Sequence, residues 1–198
     1  PLRARSSARL YARIWTAEGS PLTVNSRRQQ AGLASRLGTG FRVATGMRYG
    51  RPSLASAFAD LEELGCSTIV LAPMFPQHSF STTGSILAEG ERVRRAHGGR
   101  TEIRALGSFC EDGGYVRALA ERVREARGSA VVDQHVFSFH GLPEKSVARG
   151  DPYRGECERT ARALARELGL AEGSWTLSFQ SRFGPGWLRP FTDEVVRA

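Results

Sequence analysis

One histidine in this sequence lies where a ligand-binding residue would be expected. His140 follows the apolar run of residues 136–139 and precedes Gly141 and Pro143. Because glycine and proline do not continue a sheet ladder, this spacing predicts that His140 lies where a buried strand ends. In an open α/β sheet that edge borders the crevice in which ligands bind, and an imidazole there can act as a general base or a metal ligand. A structural histidine held by hydrogen bonds is the alternative.

Three other loops that follow predicted strands carry complementary groups. The first places a cation, Arg48, beside a phenol, Tyr49, between two glycines. The second, residues 79–84, is rich in serine and threonine and leads into a helix start, where backbone and hydroxyl donors can bind a carboxylate or simply cap the helix. The third contains Trp187, which can pack as a lid or stack on a flat ligand. Together the loops predict a crevice with aromatic faces, cations and hydroxyls around one histidine.

Two acidic residues follow the histidine in its own loop. Glu144 and Asp151 are either acid/base partners of His140 or loop and capping residues. The order Asp151-Pro152-Tyr153 is typical of a helix start.

The elements that must position these loops alternate between helix and strand. Helices are predicted at residues 21–37, 54–64, 85–97, 115–127 and 153–168, with a last one beginning near 192. Strands are predicted at residues 41–44, 68–72, 101–106, 136–139 and 175–179. This alternation predicts parallel sheets with right-handed crossovers in a doubly wound α/β architecture. The sequence contains neither GxGxxG nor a Walker A motif, the usual nucleotide fingerprints.

Composition narrows the class of protein. The chain has 198 residues, is 40% hydrophobic and carries a net charge of +8, which comes mostly from arginines at helical spacing with glutamates between them. That spacing favours solvated helix faces over a nucleic-acid surface. The three cysteines are far apart without a CxxC pair, which indicates a reducing cytoplasm. The sequence has no run of about 18 apolar residues and no signal-peptide pattern, so any membrane association would be peripheral.

These loops together resemble those of the ferrochelatases, enzymes that insert ferrous iron into protoporphyrin IX to form protoheme, and the bacterial type in particular. The matching segments are residues 19–22, 26–30, 47–50, 79–84, 138–153, 180–184, 187–188 and 192–194. The resemblance implies two Rossmann-like, chelatase-type halves with parallel sheets flanked by helices and the porphyrin cleft between them. We expect an N-terminal half at residues 1–103 and a C-terminal half at 104–198, both incomplete.

The resemblance also implies roles for individual residues. His140 corresponds to the catalytic histidine that accepts protons from the pyrrole nitrogens or handles the incoming metal, so it is also the expected metal-binding residue. The other members of the site belong to the cleft wall opposite, to the loop bordering the pocket and to its aromatic lining. These expected substrate-binding residues are Arg48, Tyr49, Ser79, Ser81, Thr82 and Trp187.

The family pattern continues beyond this chain. A glutamate-containing motif that faces the histidine in the family does not occur here, so we expect a fragment that lacks the family's N-terminal start and C-terminal third. No cofactor is expected beyond the substrate ferrous iron, and no iron–sulfur cluster, because Phe80 occupies the loop position where some members have a cysteine.

The expected partners are protoporphyrin IX, ferrous iron and, through basic charge, an anionic membrane surface, but not nucleic acid. The expected location is the cytoplasm or the adjacent face of the inner membrane. Two alternatives stay open: a chelatase for another metal or tetrapyrrole, and a truncated porphyrin-binding fragment without activity.

Overall fold

The computed structural model describes residues 11–198, and within them the chain divides into two α/β units. The first consists of the described residues up to Leu71 with Leu87–Arg104, and the second of Ala72–Ile86 with Ala105–Ala198. Residues 1–10 of the expected N-terminal half lie outside the described residues. The division of the chain into halves after residue 103 stays a prediction. Residues 72–86 precede that boundary but belong to the second unit of the structure.

The first unit is built from helices with clear starts. Helix α1 (Pro21–Leu37) begins after Ser20, whose hydroxyl accepts a hydrogen bond from a backbone N–H, and helix α2 (Leu54–Glu63) begins in the same way after Ser53. Such caps satisfy donors that the first helical turn leaves unpaired. Strand β1 (Thr68–Leu71) pairs with strand β2 (Glu102–Ala105). Helix α3 (Ser85–Ala96) contributes Val93 to the core.

The core of the first unit is apolar, and a polar cluster lies beside it. The buried core side chains are Phe58, Ile69, Leu71 and Val93. Near the end of α2, the Glu62 carboxylate contacts His97 Nδ1 at 2.8 Å and accepts a hydrogen bond from the Thr101 hydroxyl. The bond from Thr101, followed by the one to His97, holds the pKa of Glu62 below its ordinary value. This carboxylate therefore joins α2 to the segment between α3 and β2.

The second unit contains a parallel strand pair covered by helices. Strand β3 (His135–His140) pairs in parallel with strand β4 (Trp175–Gln180), in the register His135 to Trp175 through His140 to Gln180. Its helices are α4 (Gly113–Arg127), α5 (Glu144–Ala148), α6 (Tyr153–Leu168) and α7 (Thr192–Val195). The buried core consists of Cys157, Phe179 and Leu188. This pairing confirms the predicted class, an α/β fold with short parallel strands flanked by helices.

Most predicted elements are confirmed, with three differences. The strand predicted at residues 41–44 is wrong: these residues form neither helix nor strand, and the Val43 carbonyl accepts a hydrogen bond from the Gln30 side chain instead of from a neighbouring strand. The segment predicted as a loop before α3 contains a π-helical turn, Phe80–Gly84. The short helix α5 was not predicted, because its five residues are too few to show a periodicity.

Candidate functional site

His140 is the last residue of β3, and its side chain is exposed. The preceding residue, Phe139, packs against the core of the second unit, so the alternation of side chains along the strand points His140 to the opposite face. The cross-strand partner of His140 is Gln180, the last residue of β4. The predicted position of the histidine at a strand end is confirmed. There its imidazole is open to a ligand.

The loop that contains Trp187 is attached to the loop after β3 by its backbone. The Leu188 N–H donates a hydrogen bond to the Leu142 carbonyl at 2.9 Å, and the Glu144 N–H donates to the Gly186 carbonyl at 2.8 Å. Leu188 is buried in the core. The structure thus brings the loop of Trp187 beside the loop that follows His140. Both loops are predicted parts of the site.

Close backbone contact at Gly141 explains why that position carries glycine. Its N–H donates a hydrogen bond to the Gln180 carbonyl at 2.7 Å. A Cβ atom at this position would lie 2.8 Å from the same carbonyl oxygen and 3.4 Å from Cε3 of Trp187. The Trp187 ring is also in edge contact with Phe183, whose side chain is 79% exposed, with 5.3 Å between the ring centroids. Gly141, the residue after His140, is therefore next to an aromatic pair of which one ring is open to solvent.

The serine-rich turn of the second unit binds a carboxylate, as its composition allowed, but the carboxylate belongs to the chain itself. The Ser79 hydroxyl and the Phe80 N–H both donate to Oδ2 of Asp151, each at 2.9 Å. The other oxygen, Oδ1, accepts from the Tyr153 N–H at 3.1 Å. Both Ser79 and Asp151 are buried. This donor set is therefore filled internally.

Other members of the turn have different exposures. The Ser81 side chain is exposed and that of Thr82 is partly so, whereas Ser79 is almost completely buried. Phe80 is 53% exposed, and its ring is in edge contact with His78. Among the three predicted hydroxyl residues, Ser81 and Thr82 are thus open to a ligand.

Arg48 and Tyr49 belong to the first unit. The Arg48 guanidinium lies 4.7 Å from the centroid of the Tyr49 ring and forms an ion pair of 3.8 Å with Glu89. Glu89 also binds Arg92 at 2.6 Å, and this hydrogen bond is the main reason why the pKa of Glu89 is lowered. The Tyr49 side chain is 78% exposed. The pair therefore offers an oriented cation and an open aromatic ring.

Tyr153 lies near His140 and is not among the predicted site residues. The Tyr153 phenol lies near the backbone of His140 and the Cys157 thiol, and burial raises the pKa of Tyr153. Burial likewise raises the pKa of Cys157 to about 12. Tyr153 and the buried Asp151 therefore support the segment around His140 from the core side. In the sequence, Asp151 is predicted either as an acid/base partner of His140 or as a capping residue, and Tyr153 only as part of a helix start.

The described part of the chain offers no ready-made metal centre. Within residues 11–198, no three side chains of the types His, Cys, Asp and Glu are grouped closely enough to hold a metal ion. Any metal at His140 would thus need further ligands from outside this set of residues.

Comparisons with known proteins agree on one family. The family model described as Ferrochelatase matches residues 1–198. The ferrochelatase of Thioalkalivibrio sulfidiphilus is 44% identical over 208 residues, which cover 100% of this chain and 55% of the relative. That of Azoarcus sp. strain BH72 is 46% identical over 200 residues, covering 99% of this chain and 55% of the relative. The chain therefore spans about half the length of the curated relatives that it matches.

A solved structure supports the fold. SirB from Bacillus subtilis, solved with Fe3+, superposes with a TM-score of 0.60 over 87% of this chain and 65% of that chain, at 16% sequence identity. At this identity the similarity shows the fold alone.

Proposed function

Because the chain belongs to the ferrochelatase family, we propose that it carries porphyrin-binding and metal-handling residues of a ferrochelatase. The reaction, a lyase-type step of heme biosynthesis, replaces the two inner N–H protons of protoporphyrin IX with ferrous iron and yields protoheme. The observation that carries the proposal is the match of the family model to all 198 residues.

In this proposal His140 is the proton acceptor. Each pyrrole N–H bond breaks, its proton passes to an imidazole nitrogen and then to water, and the freed nitrogen electron pair binds the metal. Imidazole can accept protons near neutral pH, and an exposed ring at the end of β3 can reach a bound substrate. The Tyr153 phenol, which lies near the His140 backbone, supports this position from the core side. His140 is also the proposed metal contact, with the porphyrin nitrogens as the remaining ligands.

The other site residues are assigned to the macrocycle. Trp187 and the exposed ring of Phe183 offer aromatic faces for a flat substrate. Ser81 and Thr82 offer hydroxyls on the turn before α3, and Ser79 holds that turn in place. These assignments concern the second unit.

Substrate contacts are also assigned to Arg48 and Tyr49 of the first unit. The Arg48 guanidinium is suited to a propionate carboxylate, because it keeps its charge and forms directed hydrogen bonds. Tyr49, which lies beside it and is largely exposed, offers a ring face.

Membrane contact and cellular location are further parts of the proposal. No helix within residues 11–198 is long and apolar enough to cross a bilayer. The net charge of +8 supports peripheral attraction to anionic lipid, at the cytoplasmic face of the inner membrane. Co-sedimentation with anionic vesicles should decrease between low and high salt, and neutral vesicles should bind little. Binding that does not depend on salt or lipid charge would contradict this part.

The test of the proposed function is metal insertion followed by absorbance. The chain is mixed with protoporphyrin IX and, in separate anaerobic reactions, with Fe2+, Zn2+ or Co2+; the ferrochelatase of Thioalkalivibrio sulfidiphilus serves as a full-length positive control. We expect porphyrin uptake and formation of the metalloporphyrin. Turnover with cobalt but not iron would favour a chelatase of different metal preference, and uptake without insertion would indicate a binding fragment. A chain that does not take up porphyrin would refute the proposal.

A further inference from the structure

A buried carboxylate connects two segments of the proposed site. Asp151 is 4% exposed, and its two oxygens serve different partners. Oδ2 accepts hydrogen bonds from the turn before α3, through the Ser79 hydroxyl and the Phe80 N–H. Oδ1 accepts from the Tyr153 N–H at the start of α6. Segments that are 72 residues apart in sequence therefore meet on one side chain.

The charge of Asp151 is balanced by dipoles and not by a cation. Among the ion pairs of the described residues, none involves Asp151. Its Oδ2 instead faces the first N–H of the helical segment that runs from Phe80 through α3. The N-terminus of a helix carries a partial positive charge that stabilises a carboxylate. Charge-assisted hydrogen bonds of this kind are stronger than neutral ones, and losing them leaves buried donors unpaired.

We infer that Asp151 is a positioning residue that fixes the turn carrying Ser81 and Thr82 to the segment that supports His140. This inference rests on the proposed function for its consequence in substrate binding. Asp151 itself is buried and touches no substrate. It acts through Ser79, which it holds by the hydroxyl, and through Tyr153, whose N–H donates a hydrogen bond to it and whose phenol lies near the His140 backbone. Substrate affinity should therefore depend on Asp151.

The alternative role is a helix cap for α6. A cap needs only one acceptor for the Tyr153 N–H, and serine serves as a cap about as well as aspartate. Asp151→Ser keeps that acceptor but is too short and has too few oxygens to receive both donors of the turn. The substitution therefore separates capping from positioning. Asp112→Ser is the matched control, because Asp112 caps α4 through the Tyr115 N–H and is exposed.

Hydrogen exchange on the 198-residue chain tests whether Asp151 holds the turn. In Asp151→Ser, the amides of Phe80–Gly84 should exchange about tenfold faster or more, as expected for lost charge-assisted bonds, while α6 keeps its protection. In Asp112→Ser, the same amides should be unchanged. If Asp151→Ser folds poorly, Ser79→Ala replaces it in the test. This variant removes one of the two donors of the turn, so its amides at Phe80–Gly84 should also exchange faster. The inference would be overturned if exchange at Phe80–Gly84 were unchanged in Asp151→Ser and Ser79→Ala. It would also be overturned if all amides of the second unit exchanged faster by the same factor.

Protoporphyrin titration tests the consequence for function. Asp151→Ser should weaken protoporphyrin affinity, or raise KM more than it lowers kcat, by about tenfold, with Asp112→Ser close to the wild type. A loosened turn with unchanged affinity would refute the link to substrate binding. A wild-type chain that does not take up porphyrin would refute the proposed function instead, and the exchange data would then still decide whether Asp151 holds the turn.

Discussion

Gly141 lies at the tightest point of the proposed site, and alanine there should be strongly destabilising. The added Cβ would lie 2.8 Å from the Gln180 carbonyl oxygen, which belongs to the backbone of β4 and cannot rotate away as a flexible side chain would. Relief requires the end of β3 to move from β4, which lengthens the 2.7 Å hydrogen bond between Gly141 and Gln180. Trp187, at 3.4 Å from the added atom, is at ordinary van der Waals distance, so the clash is with the Gln180 carbonyl.

The magnitude follows from these two effects. Overpacking of a well-packed site costs about 1–3 kcal/mol, and a weakened backbone hydrogen bond adds about 0.5–1.5 kcal/mol. A loss of about 2–4 kcal/mol lowers the thermal midpoint of a chain of this length by roughly 4 °C or more. Because His140 is the neighbouring residue, metal insertion should fall together with stability.

Gly155→Ala is the matched control for this prediction. Gly155 lies in α6, and an added Cβ would have only the end of the Arg159 side chain near it, at 3.9 Å. Alanine in a helix is more favourable than glycine by roughly 0.5–1 kcal/mol, so this variant should be slightly more stable than the wild type. Thermal and urea unfolding of both variants measure the difference. A Gly141→Ala protein as stable as the Gly155→Ala protein would refute the close contact and the reasoning built on it.

Two further predictions concern titratable groups. The pKa of Glu62 is lowered in the folded chain from its ordinary 4.5, mainly by Thr101 and His97, so its stabilising contribution is present above that value and is lost as pH falls through the folded pKa. Glu62→Gln should therefore make the thermal midpoint fall less steeply than in the wild type below about pH 4.5; parallel curves would contradict this. The pKa of Cys157 is raised by burial from 9.0 to about 12, so its thiolate is about a thousandfold scarcer at pH 8 than that of an ordinary thiol. Iodoacetamide should modify the partly exposed Cys66 first and Cys157 only after unfolding; equal labelling of the two in the folded chain, read by mass spectrometry, would contradict the burial.

Local signals were sufficient for most of the helices. Ser20 and Ser53 are followed by helices that begin where the capping pattern predicts, and helix α6 spans the predicted residues 153–168. Capping and apolar periodicity depend on neighbours within one or two turns, so a single sequence contains the information. The strand predicted at residues 41–44 is wrong because a strand is completed by its partner, and no local pattern reports whether a partner is present.

The types of residue in the candidate site were predictable from the sequence, but the contacts between these residues were not. The turn at Ser79 was expected to bind a carboxylate or to cap a helix, and it does bind one, but only the folded chain identifies the carboxylate as Asp151. Likewise, the aromatic character of Trp187 was visible in the sequence, whereas its backbone pairing with the loop after β3 was not. Both contacts join residues far apart along the chain. The second also follows the parallel pairing of β3 with β4, whose register no short segment specifies.

The most direct test of the account is the rate of metal insertion into protoporphyrin by the His140→Ala chain. Replacing the imidazole removes the proposed proton acceptor without filling the site, because the side chain is exposed at the end of β3. The variant should still bind protoporphyrin, as measured by absorbance titration, but should insert metal about a hundredfold more slowly or worse, because a general base contributes at least that much. Insertion by the variant at the wild-type rate would contradict the account.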